Sequence, residues 1–149
     1  MVRKLIVTVF LVLYTLSACA DIEKKSNNKH LNIQKIFIDE NAAWSDSVSS
    51  NETSDSCRDF LLTETDVSEF FKKARNATSS EYNHDLLMSR CYSGGRATLQ
   101  DGREIGWEID RARRGIVIFP DRTAVFFFCA KCTSEAYGEA CDIDCIHAP

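Results

Sequence analysis

The chain has 149 residues, with 18 Lys and Arg against 22 Asp and Glu and a formal net charge of −4. That length suits one ordinary domain, and the acidic balance is a poor match to nucleic acid, whose binding rests on phosphate neutralisation by Lys and Arg. Seven cysteines in so short a chain make the redox compartment the next question.

The N-terminus bears on it. Met1-Val2-Arg3-Lys4 is basic, and Leu5–Leu16 is a mostly apolar run without a charge. The run is too short for a hydrocarbon core, which needs about 20 helical residues. A basic start, a short apolar run and small residues predict a signal peptide over residues 1–18. Its removal takes Arg3 and Lys4 and no acid, leaving 16 basic against 22 acidic side chains, a mature charge of −6.

Leu16-Ser17-Ala18-Cys19 resembles the lipobox of bacterial lipoproteins. The resemblance implies that Cys19 is lipidated and becomes the mature N-terminus, so that the membrane is a partner through acyl chains. Each buried methylene contributes about 0.8 kcal/mol, so several chains on one Cys anchor stably without a protein span. Ala20 stands where inner-membrane lipoproteins of enterobacteria usually carry Asp, which favours the outer membrane, the domain facing the periplasm. The alternative is cleavage after Ala20 in Ala18-Cys19-Ala20, giving a soluble secreted protein. Residues 19–56 are expected to be the lipid-attachment site and a flexible polar tether, because Asp21–Asn32 and Glu40–Ser56 have too few bulky apolar groups to offset their ordering entropy. Ile36-Phe37-Ile38 is an apolar island within them, a candidate edge strand.

A single α+β domain with a Cys-rich tail is expected over residues 57–149: one main helix on an antiparallel meander of about four to five strands, stabilised by disulfides. Asp66, with Glu69 three residues on, predicts a helix start. Val67, Phe70, Phe71 and Ala74 then share one apolar face of a helix ending near Asn76. From residue 84 the period changes to two. Asp85–Tyr92 and Arg96–Gln100 are candidate strands broken by Ser93-Gly94-Gly95. Asp101-Gly102 signals a tight hairpin whose two central residues take positive φ. Arg103–Asp110 returns with Ile105, Trp107 and Ile109 on one face, and Gly115–Phe119 and Ala124–Cys129 complete the meander, with a turn at Pro120-Asp121-Arg122.

With Cys19 set aside, Cys57, Cys91, Cys129, Cys132, Cys141 and Cys145 form an even set, read first as disulfides of unassigned pairing. Two alternatives use the last four. Cys129-x-x-Cys132 and Cys141-x-x-x-Cys145, with His147 beside them, have the spacing of a zinc site. Cys129-x-x-Cys132 alone has the spacing of a thiol-disulfide oxidoreductase. The oxidising compartment weighs against zinc, and the strand-end position of Cys129 against redox catalysis.

No nucleophile, base and orienting group assemble in the sequence, and no cofactor or metal is expected. His84 is an isolated strand-start residue, and Glu104, Glu108 and Asp110 line the polar face of one strand. Arg111, Arg113 and Arg114 concentrate positive charge at a hairpin tip, a candidate partner-binding surface. Phe60–Ala74, Cys91-Tyr-Ser-Gly-Gly95, Asp101-Gly102, Trp107-Glu-Ile109 and Cys129-x-x-Cys132, in that order, resemble small exported bacterial proteins of unassigned function. The expectation is a non-enzymatic, lipid-anchored module that binds a protein partner in the envelope, as an immunity or inhibitor protein or in an envelope-associated role.

Overall fold

The computed structural model describes residues 31–47 and 50–137. The signal segment, Cys19, Cys141, Cys145 and His147 lie outside the described residues. Within them the fold is α+β: one helix, α1 (Glu64–Lys73), on a six-stranded antiparallel sheet. The strands are β1 (Ile33–Trp44), β2 (Arg75–Ala77), β3 (Cys91–Leu99), β4 (Glu104–Asp110), β5 (Arg114–Ile118) and β6 (Ala124–Phe128), in spatial order β1-β3-β4-β5-β6-β2. The four strands β3–β6 form the expected meander; of the two added edges, β1 contains the candidate edge strand Ile36–Ile38, and β2 comes from the segment expected to end the helix.

The first edge, β1, lies inside the segment expected as tether and runs through Glu40–Trp44. The sheet therefore begins at Ile33 rather than near Cys57. Pairing with β3, not apolar content, orders this polar stretch. The pairing also explains the two glycines expected to break a strand. Strand β3 runs unbroken through Gly94 and Gly95, which face a register shift in β1 between Ile38 and Glu40. A Cβ on Gly95 would stand 2.0 Å from the Phe37 carbonyl oxygen, so glycine is required there by close backbone approach. The bulges that shift the register also roughen an edge that would otherwise invite a further strand. Asn41 closes part of that edge, its side chain bonding the Leu62 N–H at 3.0 Å and the Leu62 carbonyl at 2.8 Å.

Helix α1 begins one turn before the expected Asp66. Thr63 is the cap: its hydroxyl accepts from the Asp66 N–H at 3.2 Å, and the Asp66 carboxylate accepts from the Thr63 N–H at 2.8 Å. The helix ends at Lys73 rather than near Asn76, because Arg75–Ala77 turn extended and pair with β6 as the second edge. Its apolar face is the expected one. Val67, Phe70 and Phe71 are buried against Ile105, Trp107, Ile109, Val117 and Phe127 on the inner face of the sheet. The Phe70 ring lies over Gly115, where a Cβ would come within 2.5 Å of it. Phe71 meets Phe70 and Phe127 edge to face, with centroids 5.2 and 5.4 Å apart.

The candidate strand Asp85–Tyr92 is absent. Glu81–Asp85 instead form a single helical turn on the outer face, and β3 starts at Cys91. Anchoring accounts for the change: Tyr82 stacks on Phe126 with centroids 4.7 Å apart, and Glu81 pairs with Arg75. The hairpin at Asp101-Gly102 forms, but only Gly102 takes positive φ, at 83°. Its loop has three residues, closed by Gly102 N–H to the Leu99 carbonyl and Leu99 N–H to the Arg103 carbonyl, both at 2.9 Å. The other two hairpins place Arg113 (φ 64°) and Arg122 (φ 67°) in the corresponding left-handed position.

Three variants test this account. Gly95→Ala should lower unfolding free energy by about 2 kcal/mol or more in urea titration, because backbone must move. Gly106→Ala, whose Cβ would meet nothing closer than 4.0 Å, should stay within about 0.5 kcal/mol of the parent. Burial raises the Asp66 carboxyl, but the hydrogen bonds from Thr63 outweigh it and hold the group below the usual range. Its contribution is therefore present above the unfolded value of about 3.9 and fades as pH falls through the lower folded value. Thr63→Ala should cost about 1 kcal/mol at pH 7 and less at pH 2.5, measured by denaturation at both.

Candidate functional site

Strand register gives the sheet two unlike ends. At one, Ile33 pairs with Leu99, Thr98 with Glu104 and Ile118 with Ala124, and the turns are short. The described chain also enters there, the Gln100 N–H bonding the Asn32 carbonyl at 2.8 Å. At the other end, Trp44 pairs with Cys91, Tyr92 with Asp110 and Arg114 with Phe128. The long loops 45–63 and 78–90, the 110–114 turn and both disulfides of the described residues gather there. Long loops on a rigid sheet are where binding and catalytic groups concentrate.

The disulfides are Cys57–Cys91 and Cys129–Cys132. The first ties the polar loop to the start of β3. Glu52 makes a second tie: its carboxylate accepts from the Ser89 hydroxyl at 2.8 Å and from the Arg90 N–H at 2.6 Å. The Glu52 carbonyl accepts from the Trp44 indole N–H at 3.2 Å, and the Arg90 guanidinium lies 5.5 Å from the centre of the Trp44 ring system. The loop expected to be mobile is thus held in its described parts by charge-assisted hydrogen bonds rather than by apolar burial.

The three arginines of the 110–114 turn do not form the expected solvated tip. Arg113 and Arg114 are buried, and Arg111 is half-buried. Arg114 makes a two-point contact with Asp110, Nε at 2.8 Å and Nη2 at 2.7 Å, donates to the Tyr82 carbonyl at 2.9 Å, and lies under the Tyr82 ring. Arg113 donates to the Cys132 carbonyl at 3.1 Å, its guanidinium 5.6 Å from the centre of the Tyr137 ring. Arg111 lies over the Phe60 ring and 4.0 Å from Glu52. The hairpin geometry is the cause: with Arg113 left-handed, the turn folds its side chains back onto both faces of the sheet. Asp110, expected on a solvated polar face with Glu104 and Glu108, is buried beneath the Tyr82 segment. Burial pushes the Tyr82 hydroxyl up to about 12, with Asp110 adding to the shift and Arg114 opposing it.

Glu104 and Glu108 remain on the open outer face. Desolvation by the surrounding sheet pushes the Glu108 carboxyl up, opposed by Arg114 and reinforced by Glu40. Glu40 accepts from the Tyr92 hydroxyl at 2.9 Å. His84 is exposed on the outer helical turn.

Cys129 and Cys132 are bonded to each other, 1 and 4 % exposed, at the end of β6. Buried sulfurs lack the accessible setting that lets a thiol take part in exchange. As a disulfide they are not thiolate ligands for zinc either. Among the described residues, no group of three or more His, Cys, Asp and Glu side chains is placed to hold a metal ion. No described helix is long and apolar enough to cross a membrane.

Two groups of residues at this end escaped the sequence reading. Glu52 and Tyr82 gave no local signal, since their partners lie over thirty residues away. Leu87 and Met88 did carry one: a pair of adjacent large apolar residues fits neither face of a half-buried strand, and both are exposed. No protein-family model, curated protein or solved structure matches the chain.

The buried pair sets an expectation for mutagenesis. Arg114→Met leaves the Asp110 carboxylate buried without its cation and should cost about 3–5 kcal/mol. Asp110→Asn with Arg114→Met removes both charges and keeps an acceptor for the Arg114 N–H, so it should cost clearly less than the single change. Urea unfolding of the two variants, with a double-mutant cycle, checks the order.

Proposed function

We propose that the chain is a lipid-anchored, non-enzymatic protein-binding module of the bacterial envelope, in an immunity, inhibitor or envelope-associated role. The observation that supports it is the division of labour at the disulfide end. There the charged groups are bonded within the protein: Asp110 to the Arg114 guanidinium, Glu52 to the Ser89 hydroxyl and the Arg90 backbone N–H, Arg113 to the Cys132 carbonyl. Groups locked in this way serve as framework, whereas a general acid or base must meet a substrate proton. Large apolar side chains, by contrast, face outward. Four of the five exposed large hydrophobics among the described residues, Trp44, Leu61, Leu87 and Met88, belong to this end, and Ile118 to the other. Exposed apolar clusters of this kind mark interaction surfaces.

The lipid tether rests on Leu16–Cys19. The described chain enters the sheet at its short-turn end, opposite the looped end. Thiol-disulfide exchange at Cys129 and Cys132 is less well supported, since both sulfurs are buried.

Intact mass of the protein from its host's membranes, before and after reduction and alkylation, tests the proposal. The expected species begins at Cys19, carries added acyl mass, and yields no alkylated cysteine until reduced. A chain starting at Asp21 without acyl mass would remove the anchor. Cys129 and Cys132 alkylated without reduction would favour the redox reading.

A further inference from the structure

We infer that Trp44, Leu87 and Met88 form the docking ridge of this module, and that its partner is a protein offering an apolar pocket within a basic surface. The inference deepens the binding-module reading and rests on it. Trp44 is 38 % exposed, Leu87 50 % and Met88 42 %, with buried Leu86 and Ser89 fixing the chain on either side of the last two. Arg90, two residues beyond Met88, stacks on Trp44, and its carbonyl accepts from the Ser45 N–H at 3.0 Å. The end of β1 and the 86–90 loop are thereby joined into one surface.

The ridge is built to be presented. The Trp44 indole is oriented by its N–H bond to the Glu52 carbonyl and by the Arg90 guanidinium on its ring. The carboxylate of the same Glu52 holds Ser89 and Arg90, so one residue ties both halves of the ridge, through its carbonyl and its carboxylate. Tryptophan and methionine are enriched at the cores of protein interfaces, where an oriented aromatic is the usual anchor.

Charge selects the kind of partner. In the described parts of the two loops, the exposed charged side chains are Asp46, Asp55, Asp59 and Asp85 against Arg58. Arg58 is paired with Asp55 at 2.8 Å, which leaves Asp46, Asp59 and Asp85 as the uncompensated charges among them. An apolar ridge in an acidic field is complementary to a basic protein surface and is repelled by anionic lipid. Its position supports the same choice. Strand β1, with its register shifts, pairs along the nine residues Cys91–Leu99, about 30 Å of strand, so the ridge lies at the opposite end of the sheet from the chain's described entry.

A photo-crosslinking side chain placed at Met88, and separately at Ile118, in the full-length chain in its host's envelope tests the inference. The captured protein is then purified and titrated with the parent, with Leu87→Asp/Met88→Asp, and with Ile118→Asp. The expected result is an adduct from Met88 and not from Ile118. Affinity should fall roughly tenfold or more in the double variant and by less than about twofold in Ile118→Asp. The changed side chains are exposed, and unchanged thermal unfolding midpoints confirm that both variants fold. An adduct from Ile118 alone, or full affinity in the double variant, overturns the ridge while leaving a binding module. No adduct from either position overturns both. Binding of Cys19→Ser protein to phosphatidylethanolamine–phosphatidylglycerol vesicles that the double variant abolishes would make the ridge a lipid contact and overturn the protein partner.

Discussion

The arrangement of the looped end depends on how residues 45–57 are pinned to β3. This polar segment buries too little apolar surface to order itself. Cys57–Cys91 spans 34 residues, and closing a loop of that size removes about 4 kcal/mol of denatured-state entropy in the chain model, against about 2 kcal/mol for the three-residue separation of Cys129–Cys132. The long bridge therefore matters more to the fold. It would still leave a floppy excursion if Glu52 did not close the loop a second time on Ser89 and Arg90. With both ties made, Trp44 acquires a fixed acceptor and a fixed cation, and the loop becomes part of the sheet's end.

The sheet carries such an end on a core that reaches from the helix into it through Cys57, Phe60, Cys91 and Tyr137. Phe70 over Gly115 and Phe71 between Phe70 and Phe127 lock α1 to the middle strands. Three short hairpins with one left-handed residue each set the register of β3 through β6. Burying an ion pair in that frame is costly unless its hydrogen-bonding capacity is used. Asp110 and Arg114 meet this condition through mutual contact, the Arg114 N–H and the Tyr82 carbonyl. The 78–90 segment thus covers an ion pair as well as part of the outer face, and its exit places Leu87 and Met88 outside.

What was legible in the sequence was local. The helix face of Val67, Phe70 and Phe71, the inward Ile105, Trp107 and Ile109, and the turn at Gly102 follow from periods and turn chemistry acting within a few residues. What was not legible depended on distant partners. Polar Glu40–Trp44 is strand because β3 lies beside it, and Gly94-Gly95 continues a strand because a bulge in β1 needs the space. The turn arginines point inward because Asp110, Tyr137 and Phe60 receive them. Composition identified Arg111, Arg113 and Arg114 as a charged tip, but the charge was largely committed to the interior. The candidate site was correspondingly less legible than the fold, because where Arg111, Arg113 and Arg114 pack is set by residues distant in sequence.

A rigid end with internally satisfied charges and external apolar groups has a definite consequence for recognition. Association loses the freedom of every side chain it immobilises, typically about 0.5–1.5 kcal/mol each. Trp44 has already lost much of that freedom to Glu52 and Arg90 in the unbound protein. Met88 has not, and a flexible thioether can adapt to a pocket that a second rigid ring would clash with. One fixed anchor beside one adaptable contact favours tight binding to a single surface while tolerating small changes in its shape. For the basic partner we propose, the acidic surround would add orientation and a faster encounter, an effect that salt screens beyond a Debye length of about 8 Å at physiological ionic strength.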